Sequence, residues 1–332
     1  MAETDYVTCL NVVSWVLGSL VIIVTAARII GRTLIMKQTG WDDFFLIIGS
    51  LSALVCSSLV TVGAAHGLGK HQADIKDPYD LSEAIKYTIL APTISIISST
   101  CSKISILIFL VRLTGLSAKR WHLCFLWGAC AILIILNILA IVVIILFCDP
   151  PQKQWKPWLP GTCLEPQVQQ YIGFIQSAYN ALVDVIVAIF PVLFITKLNI
   201  APRMKIGLSI LMGGSIFAAG ATIVKIYLLK DLDKHADVTW YWAPISLWYT
   251  AEMDVIIIVG TIPTLWPLVR LIRRKNTHSH DHVIYDRVTS DGSYQPGSEG
   301  FQVAGSATRI LREVDNMRTN GTWNGERVKS DQ

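Results

Sequence analysis

Seven separate apolar stretches decide what this chain can fold into: residues 8–30, 43–65, 88–111, 122–147, 168–195, 206–229 and 242–269. A bilayer's hydrocarbon core takes about 20 consecutive apolar residues to cross. Inside it every backbone N–H and C=O must pair within its own segment, so each stretch is a helix. The fold expected is an all-α, polytopic bundle of seven transmembrane helices. The connections are too short to fold separately, so residues 1–272 read as one domain. Residues 273–332 read as a disordered cytosolic tail, because their polar composition cannot bury enough surface to fold. Composition agrees: 52% of the 332 residues are hydrophobic and 16% charged, against about 25% charged in an average globular chain. The mean hydropathy is +0.50. Collagen, a disulfide scaffold and a secreted enzyme are excluded. The net charge of +4 is spread evenly, which argues against nucleic acid as a partner.

Loop charge predicts the orientation. Arg28, Arg32 and Lys37 follow the first stretch, and Arg112, Lys119 and Arg120 follow the third. Lys197, Arg203 and Lys205 follow the fifth, and Arg270, Arg273, Arg274 and Lys275 the seventh. The opposite side has fewer, more widely spaced lysines and many acids, among them Asp74, Asp80, Asp149, Asp231 and Asp237. The N-terminus is therefore expected outside and the tail in the cytosol. Trp240 and Trp242 fall at the expected outer interface, and Trp41, Trp121 and Trp266 at the inner one. The start MAETDY has no basic run ahead of the first stretch, so an uncleaved anchor is expected rather than a signal peptide.

Cys56, Cys101, Cys124 and Cys130 fall inside apolar stretches and read as small packing residues. Cys148 and Cys163 bracket CDPPQKQWKPWLPGTC on the side expected outside. An oxidising compartment predicts a disulfide between them, contributing about 3 kcal/mol in the chain-entropy view. Trp155, Pro157, Trp158 and Pro160 would stiffen this loop as a cap. In HGLGKH, Gly67 and Gly69 permit a tight turn between His66 and His71. With Trp240, these histidines are expected at the outer mouth. No zinc spacing is present, so no metal is expected.

Charges inside the bilayer are costly and mark function or pairing. Lys103 lies ~13 Å from the inner interface, Asp184 ~20 Å from it and Glu252 ~18 Å from the outer one, at about 1.5 Å per residue. All three fall near the midplane and are expected around one interior cavity, joined by Asn180, one turn from Asp184. Three readings stand: Lys103 pairs with Asp184 or Glu252 to hold the bundle, the cavity binds a ligand, or the charges carry protons or ions across. Lys225 lies shallower, where a long amine snorkels outward, and Asp254 points to a different helical face from Glu252. Pro92, Pro191 and Pro263 are tolerated kinks. Gly213, Gly214, Ala218, Ala219, Gly220 and Ala221 form a small-residue face for packing.

The last stretch has no lysine for a retinal Schiff base, and no cofactor is expected. LVRLTG and GTIPTLW replace the signatures of the large animal receptor family. Several pieces do resemble one family in order over about 240 residues. They are Arg28 and Arg32 ahead of Trp41-Asp42-Asp43, then GLGKH, then KISILIFLVR (Lys103 to Arg112), the C…W…C loop, NALVDVIVAIFP (Asn180 to Pro191) and DVTW…LW…AE…IP. Together they resemble the fungal rhodopsin-domain family, which includes Pth-type receptor-like proteins and the membrane protein of the satratoxin cluster. One departure is Lys225, where the family has arginine. The resemblance implies seven helices, a plasma-membrane or endomembrane location in a fungal cell, and an inner face carrying Arg32, Asp42, Asp43 and Arg112.

Two functions follow. One is a receptor-like protein that senses a small apolar ligand through Lys103, Asn180, Asp184 and Glu252 and signals to a cytosolic partner. The other is a membrane enzyme or accessory protein of a secondary-metabolite pathway, with Asp184 and Glu252 as acid and base on an apolar intermediate. A transporter is disfavoured by the lack of an internal repeat. In the tail, His278, His280 and His282 read as solvated, and Ile310, Leu311, Val314 and Met317 suggest a short amphipathic helix. Asn320 fits a glycosylation pattern on the wrong side of the membrane.

Overall fold

The computed structural model describes residues 6–35, 39–114, 120–195, 202–230 and 237–290. Lys37, Lys119, Lys197, Asp231, Asp233 and everything beyond 290, including the segment through Ile310 and Asn320, lie outside the described residues. So do the side chains at 191–195, 202–205 and 266–290, among them Trp266 and the tail histidines.

Among the described residues, seven helices are long and apolar enough to cross a membrane. They are α1 (Tyr6–Ile30), α2 (Trp41–Ala65), α3 (Pro78–Thr114), α4 (Arg120–Ile145), α5 (Pro166–Ile195), α6 (Pro202–Lys230) and α7 (Val238–Ser290). The chain is an integral membrane protein. Its outward-facing side chains fit that solvent: Ile23, Ile135, Ile216 and Ile223 are each more than 60% exposed. α1 ends in a π-helical turn, Gly31–Ile35. α7 runs past the seventh apolar stretch into the segment expected to be without regular structure; extending an existing helix gains one hydrogen bond per residue with no new nucleus. The chain divides into Met1–Ile272 and Arg273–Gln332, and the described part of the second is the end of α7.

Two apolar clusters build the bundle. One joins Leu10 and Val21 of α1, Cys56 and Val60 of α2, and Met253 and Ile257 of α7. The other joins Leu107 and Leu110 of α3, Leu133 of α4, Val187 of α5, Leu211 of α6 and Ile256 of α7. The small face of α6 is narrower than expected. A Cβ at Gly214 would lie 2.6 Å from Val259, and one at Gly207 3.0 Å from Pro263, whereas Gly213 and Gly220 have nothing within 4 Å. Gly207, Gly214, Ala218 and Ala221 therefore face the neighbours, and Gly213 and Gly220 do not.

At one end, Cys148 and Cys163 form a disulfide. They also pair across a short antiparallel ladder, β1 (Cys148–Asp149) with β2 (Thr162–Cys163), in the register Cys148↔Cys163. Ser82 of α3 donates to the Trp155 carbonyl at 2.8 Å, tying the loop back to the bundle. Gly67 and Gly69 both adopt positive φ, 111° and 96°, which turns the chain sharply after α2 and buries Leu68 completely.

Candidate functional site

A cavity of about 610 Å³ opens between α3, α4, α5, α6 and α7 in the half of the bundle that carries the disulfide. Its walls are mostly apolar, with Ile85, Ile89, Val143, Ile172 and Ile245 from four of these helices. The disulfide loop forms its rim through Lys153, Gln154 and Pro157. Its deep end is polar, with Ser95, Gln176, Ser177, Lys225 and Tyr249. A smaller recess continues from this floor to Ser99, Asn180 and Glu252. Pro92 also lines the cavity, on the helix that contributes Ser95 and Ile96.

Two buried ion pairs lie in this region, one at the floor and one beside a separate recess. Lys103 of α3 meets Asp184 of α5 at 3.1 Å, with both side chains buried. It also donates to the Asn180 side-chain oxygen at 3.1 Å and backbone carbonyl at 3.3 Å. Lys225 of α6 meets Glu252 of α7 at 2.5 Å. This corrects the outward snorkelling expected of Lys225: its amine turns inward because Glu252 is buried and offers a charge.

The midplane residues therefore do not surround one cavity. Lys103 and Asp184 border a small recess with Leu211, Gly214 and Ser215, while Asn180 and Glu252 border the recess beneath the large cavity. A hydrogen-bonded run connects the two. Gln176 and Asn180 each donate to Asn137 Oδ1 at 2.9 Å, and Asn137 donates to Thr100 Oγ1 at 2.8 Å. Sequence reasoning missed Asn137 and Gln176. A lone asparagine in the most apolar of the seven stretches was the available signal.

His66, His71 and Trp240 are not on the cavity wall among its described residues. His66 Nδ1 lies 2.8 Å from Asp80, and His71 Nδ1 2.7 Å from Asp237. Trp240 packs edge-on to His71 and against Tyr6. These residues fasten the α2–α3 connection to the starts of α1 and α7. The rim belongs instead to the disulfide loop, which is tied to α3 through Ser82 and to the end of α4 through Gln154.

At the opposite end, Arg28 and Arg32 grip Asp42 and Asp43. Arg28 donates to Asp42 at 2.5 Å and to Asp43 at 3.0 Å. Arg32 donates to both carboxylates, at 2.7 Å to Asp43. Asp43 also accepts from the Gly40 backbone at 3.2 Å, closing the N-terminus of α2, where acids oppose the helix dipole favourably. Arg112, at the end of α3, stands 3.7 Å from Asp42 and is half-exposed. Ser105 of α3 donates to the Asp42 carbonyl at 2.6 Å. This cluster binds α1, α2 and α3 together and lines no described part of the large cavity.

A model of the fungal rhodopsin domain matches residues 27–271. Three curated relatives are similar to the chain. Wortmanamides biosynthesis cluster protein C of Talaromyces wortmannii is 24% identical over 83% of this chain and 75% of that protein. Fugralins biosynthesis cluster protein 2 of Gibberella zeae is 24% identical over 64% of this chain and 54% of that protein. A SAT4 family membrane protein of Emericella nidulans is 23% identical over 70% of this chain and 55% of that protein. The chain thus spans only about half the length of the last two. No solved structure matches it.

Proposed function

We propose, for a chain that belongs to the fungal rhodopsin domain family, that it is a receptor-like membrane protein holding a small, largely apolar molecule in the cavity between α3 and α7. The observation that carries this reading is the cavity: about 610 Å³, apolar along its walls and polar at its floor. Small-molecule sites have this size and this mixture of surfaces. Lys153 and Lys225 are lining residues, whereas no carboxylate is among the described ones. Trp242 also lines the cavity, and its indole N–H has no partner among the described residues. Of these donors Lys225 stands at the floor, so the ligand is an apolar body with an acceptor oxygen, a carboxylate or a carbonyl, at its deep end. The run from Gln176 through Asn137 and Asn180 to Lys103 and Asp184 offers a contiguous path by which occupancy biases helix positions.

Binding tests this directly. The purified chain in lipid nanodiscs should bind decanoate saturably, read by tryptophan fluorescence, and bind decyltrimethylammonium far less. Ala140→Phe, which fills the wall where Ala140 stands, should abolish the signal. Equal binding by this variant and the parent chain would sink the reading.

A pathway role is the second reading, favoured because two relatives are named as biosynthesis cluster proteins. In it the ligand is an intermediate, and the Lys225–Glu252 pair at the floor supplies the acid and base. Deleting the gene should then cause an intermediate to accumulate. The parent gene would restore the product and a Glu252→Gln copy would not.

A further inference from the structure

At the floor of the large cavity an amine, an acid and an unpartnered hydroxyl share one polar recess. Lys225, Tyr249 and Glu252 all line that recess, and Lys225 and Tyr249 also line the cavity above it. Lys225 Nζ lies 2.5 Å from a Glu252 oxygen. Glu252 is not among the cavity's described lining residues, so the lysine stands between the acid and the cavity. Tyr249 comes one turn before Glu252 on the same face of α7. Its hydroxyl is buried and has no hydrogen-bond partner among the described residues.

An amine touching a base, with an unused O–H donor beside them, suits attack on a carbonyl: the base takes a proton from the nitrogen, and the donor steadies the oxygen as it gains charge. A lysine can also do what the serine, glutamine and indole donors around this cavity do not, which is to form a reversible covalent bond to a carbonyl carbon. Lys153 is the cavity's other described amine. It sits in the disulfide loop at the rim, donates to the Gly161 carbonyl and has no acid beside it among the described residues.

We infer that Lys225 holds an apolar aldehyde covalently, as an imine at the floor of the cavity. The inference rests on the reading of the cavity as a site for an apolar molecule with a deep oxygen, and it narrows that oxygen to an aldehyde carbonyl. The Lys225 ammonium first passes one proton to Glu252. The freed lone pair adds to the carbonyl carbon, with Tyr249 donating to the oxygen, and a proton moves from nitrogen to that oxygen to give a carbinolamine. Glu252 then returns its proton to the hydroxyl, the C–O bond breaks, and oxygen leaves as water. Ammonium and aldehyde have become iminium and water, with no oxidation or reduction. The positive charge still faces the Glu252 carboxylate, so the floor keeps its charge balance. The recess, about 20 Å³, has room for the released water. The apolar walls exclude bulk water and so oppose hydrolysis of the imine.

The test treats the purified full chain in lipid nanodiscs with decanal and cyanoborohydride, which reduces an imine to a stable amine, and maps each lysine by peptide mass. Lys225 should gain one decyl group with a saturable dependence on decanal. It should react about tenfold or more faster than the exposed Lys70, because a bound aldehyde is held against its nucleophile. Decanoate should compete at Lys225 and not at Lys70. Ala140→Phe should remove labelling at Lys225 alone. Lys225→Arg cannot form the imine, so it should still bind decanoate and show only the labelling of exposed lysines. Saturable decanoate binding with Lys225 labelled no faster than Lys70 would overturn the covalent inference and leave the cavity reading standing. Loss of both signals would overturn the cavity reading, and the inference with it. Labelling of Lys225 that persists in Ala140→Phe, or under excess decanoate, would overturn the inference by showing that the aldehyde does not arrive through the cavity.

Discussion

Lys225 of α6 and Glu252 of α7 meet at 2.5 Å beneath a cavity whose described lining includes the lysine but no acid. The carboxylate side chain is 5% exposed and the ammonium 21%. The lysine thus neutralises a buried charge while keeping one side toward the cavity. This arrangement gives the pair two duties that substitution can separate.

Removing only the cation should destabilise the fold. Lys225→Met leaves Glu252 charged and unpaired, and breaking a buried pair this way costs about 3–5 kcal/mol. The double change Lys225→Met with Glu252→Gln removes both charges and should recover most of that loss in thermal unfolding. Lys225→Arg should fold normally, because a guanidinium also donates to a carboxylate. If the double variant melts no higher than Lys225→Met, the pair is not the source of the loss.

Within the Arg–Asp cluster, burial should rank the arginines. Arg28 is almost fully buried and holds both Asp42 and Asp43. Arg28→Met should therefore cost about 3–5 kcal/mol. Arg112 is half-exposed and 3.7 Å from Asp42, so Arg112→Ala should cost about 1 kcal/mol or less. Surface expression and melting temperature of the two variants check the ranking, and a reversed order would refute it.

Depth along a helix was legible in the sequence, and rotation about its axis was not. Counting residues from the interfaces placed Lys103 and Asp184 at matching levels, and they pair. The same counting put Lys225 nearer an interface. It gave no hint that α6 turns this side chain toward α7, because a helix with small or apolar residues on every side does not announce its buried face. Gly213 and Gly214 show the same limit, being adjacent in sequence but in opposite environments. The histidine pairs fail for another reason: His71 finds Asp237 166 residues away, a contact set by the order of helices around the bundle. The disulfide was legible, since its two cysteines bracket one short loop. The large cavity was not, since it is made of ordinary apolar side chains from five helices.

The disulfide closes a loop with a sequence separation of 15. Replacing Cys148 or Cys163 by serine should each lower stability by about 3 kcal/mol. The double variant should be no worse than either single one. Melting temperatures with and without reductant give the comparison, and the parent chain in reductant should match the variants. Additive losses would mean that the thiols matter for packing rather than through their bond.

Loop charge predicts that a tag at Ala2 is reached by antibody on intact cells or sealed vesicles of known polarity, and that a tag at Gln332 is reached only after permeabilisation. This orientation would put the disulfide loop in an oxidising compartment. The opposite pattern would reverse the side from which the cavity is entered, and protection of both tags would contradict an odd number of spans.

The contact between α6 and α7 provides the most local prediction. A Cβ at Gly214 would fall 2.6 Å from both Cγ atoms of Val259 and 2.8 Å from its Cβ, while one at Gly213 would meet nothing within 4 Å. Valine is stiff at χ1 and cannot swing its methyl groups aside without leaving its rotamer. Accommodating Gly214→Ala therefore requires the two helices to separate, in a region where close packing is the main attraction between helices in lipid. Gly214→Ala should cost about 1–3 kcal/mol, the usual range for overpacking. Gly213→Ala should be neutral or slightly stabilising, because alanine is the better helix former by about 1 kcal/mol. Pairing Gly214→Ala with Val259→Ala removes both Cγ methyl groups but keeps the 2.8 Å approach to the Cβ, so it should return only part of the loss. Equal melting temperatures for the two single variants would show that α6 does not present Gly214 to Val259.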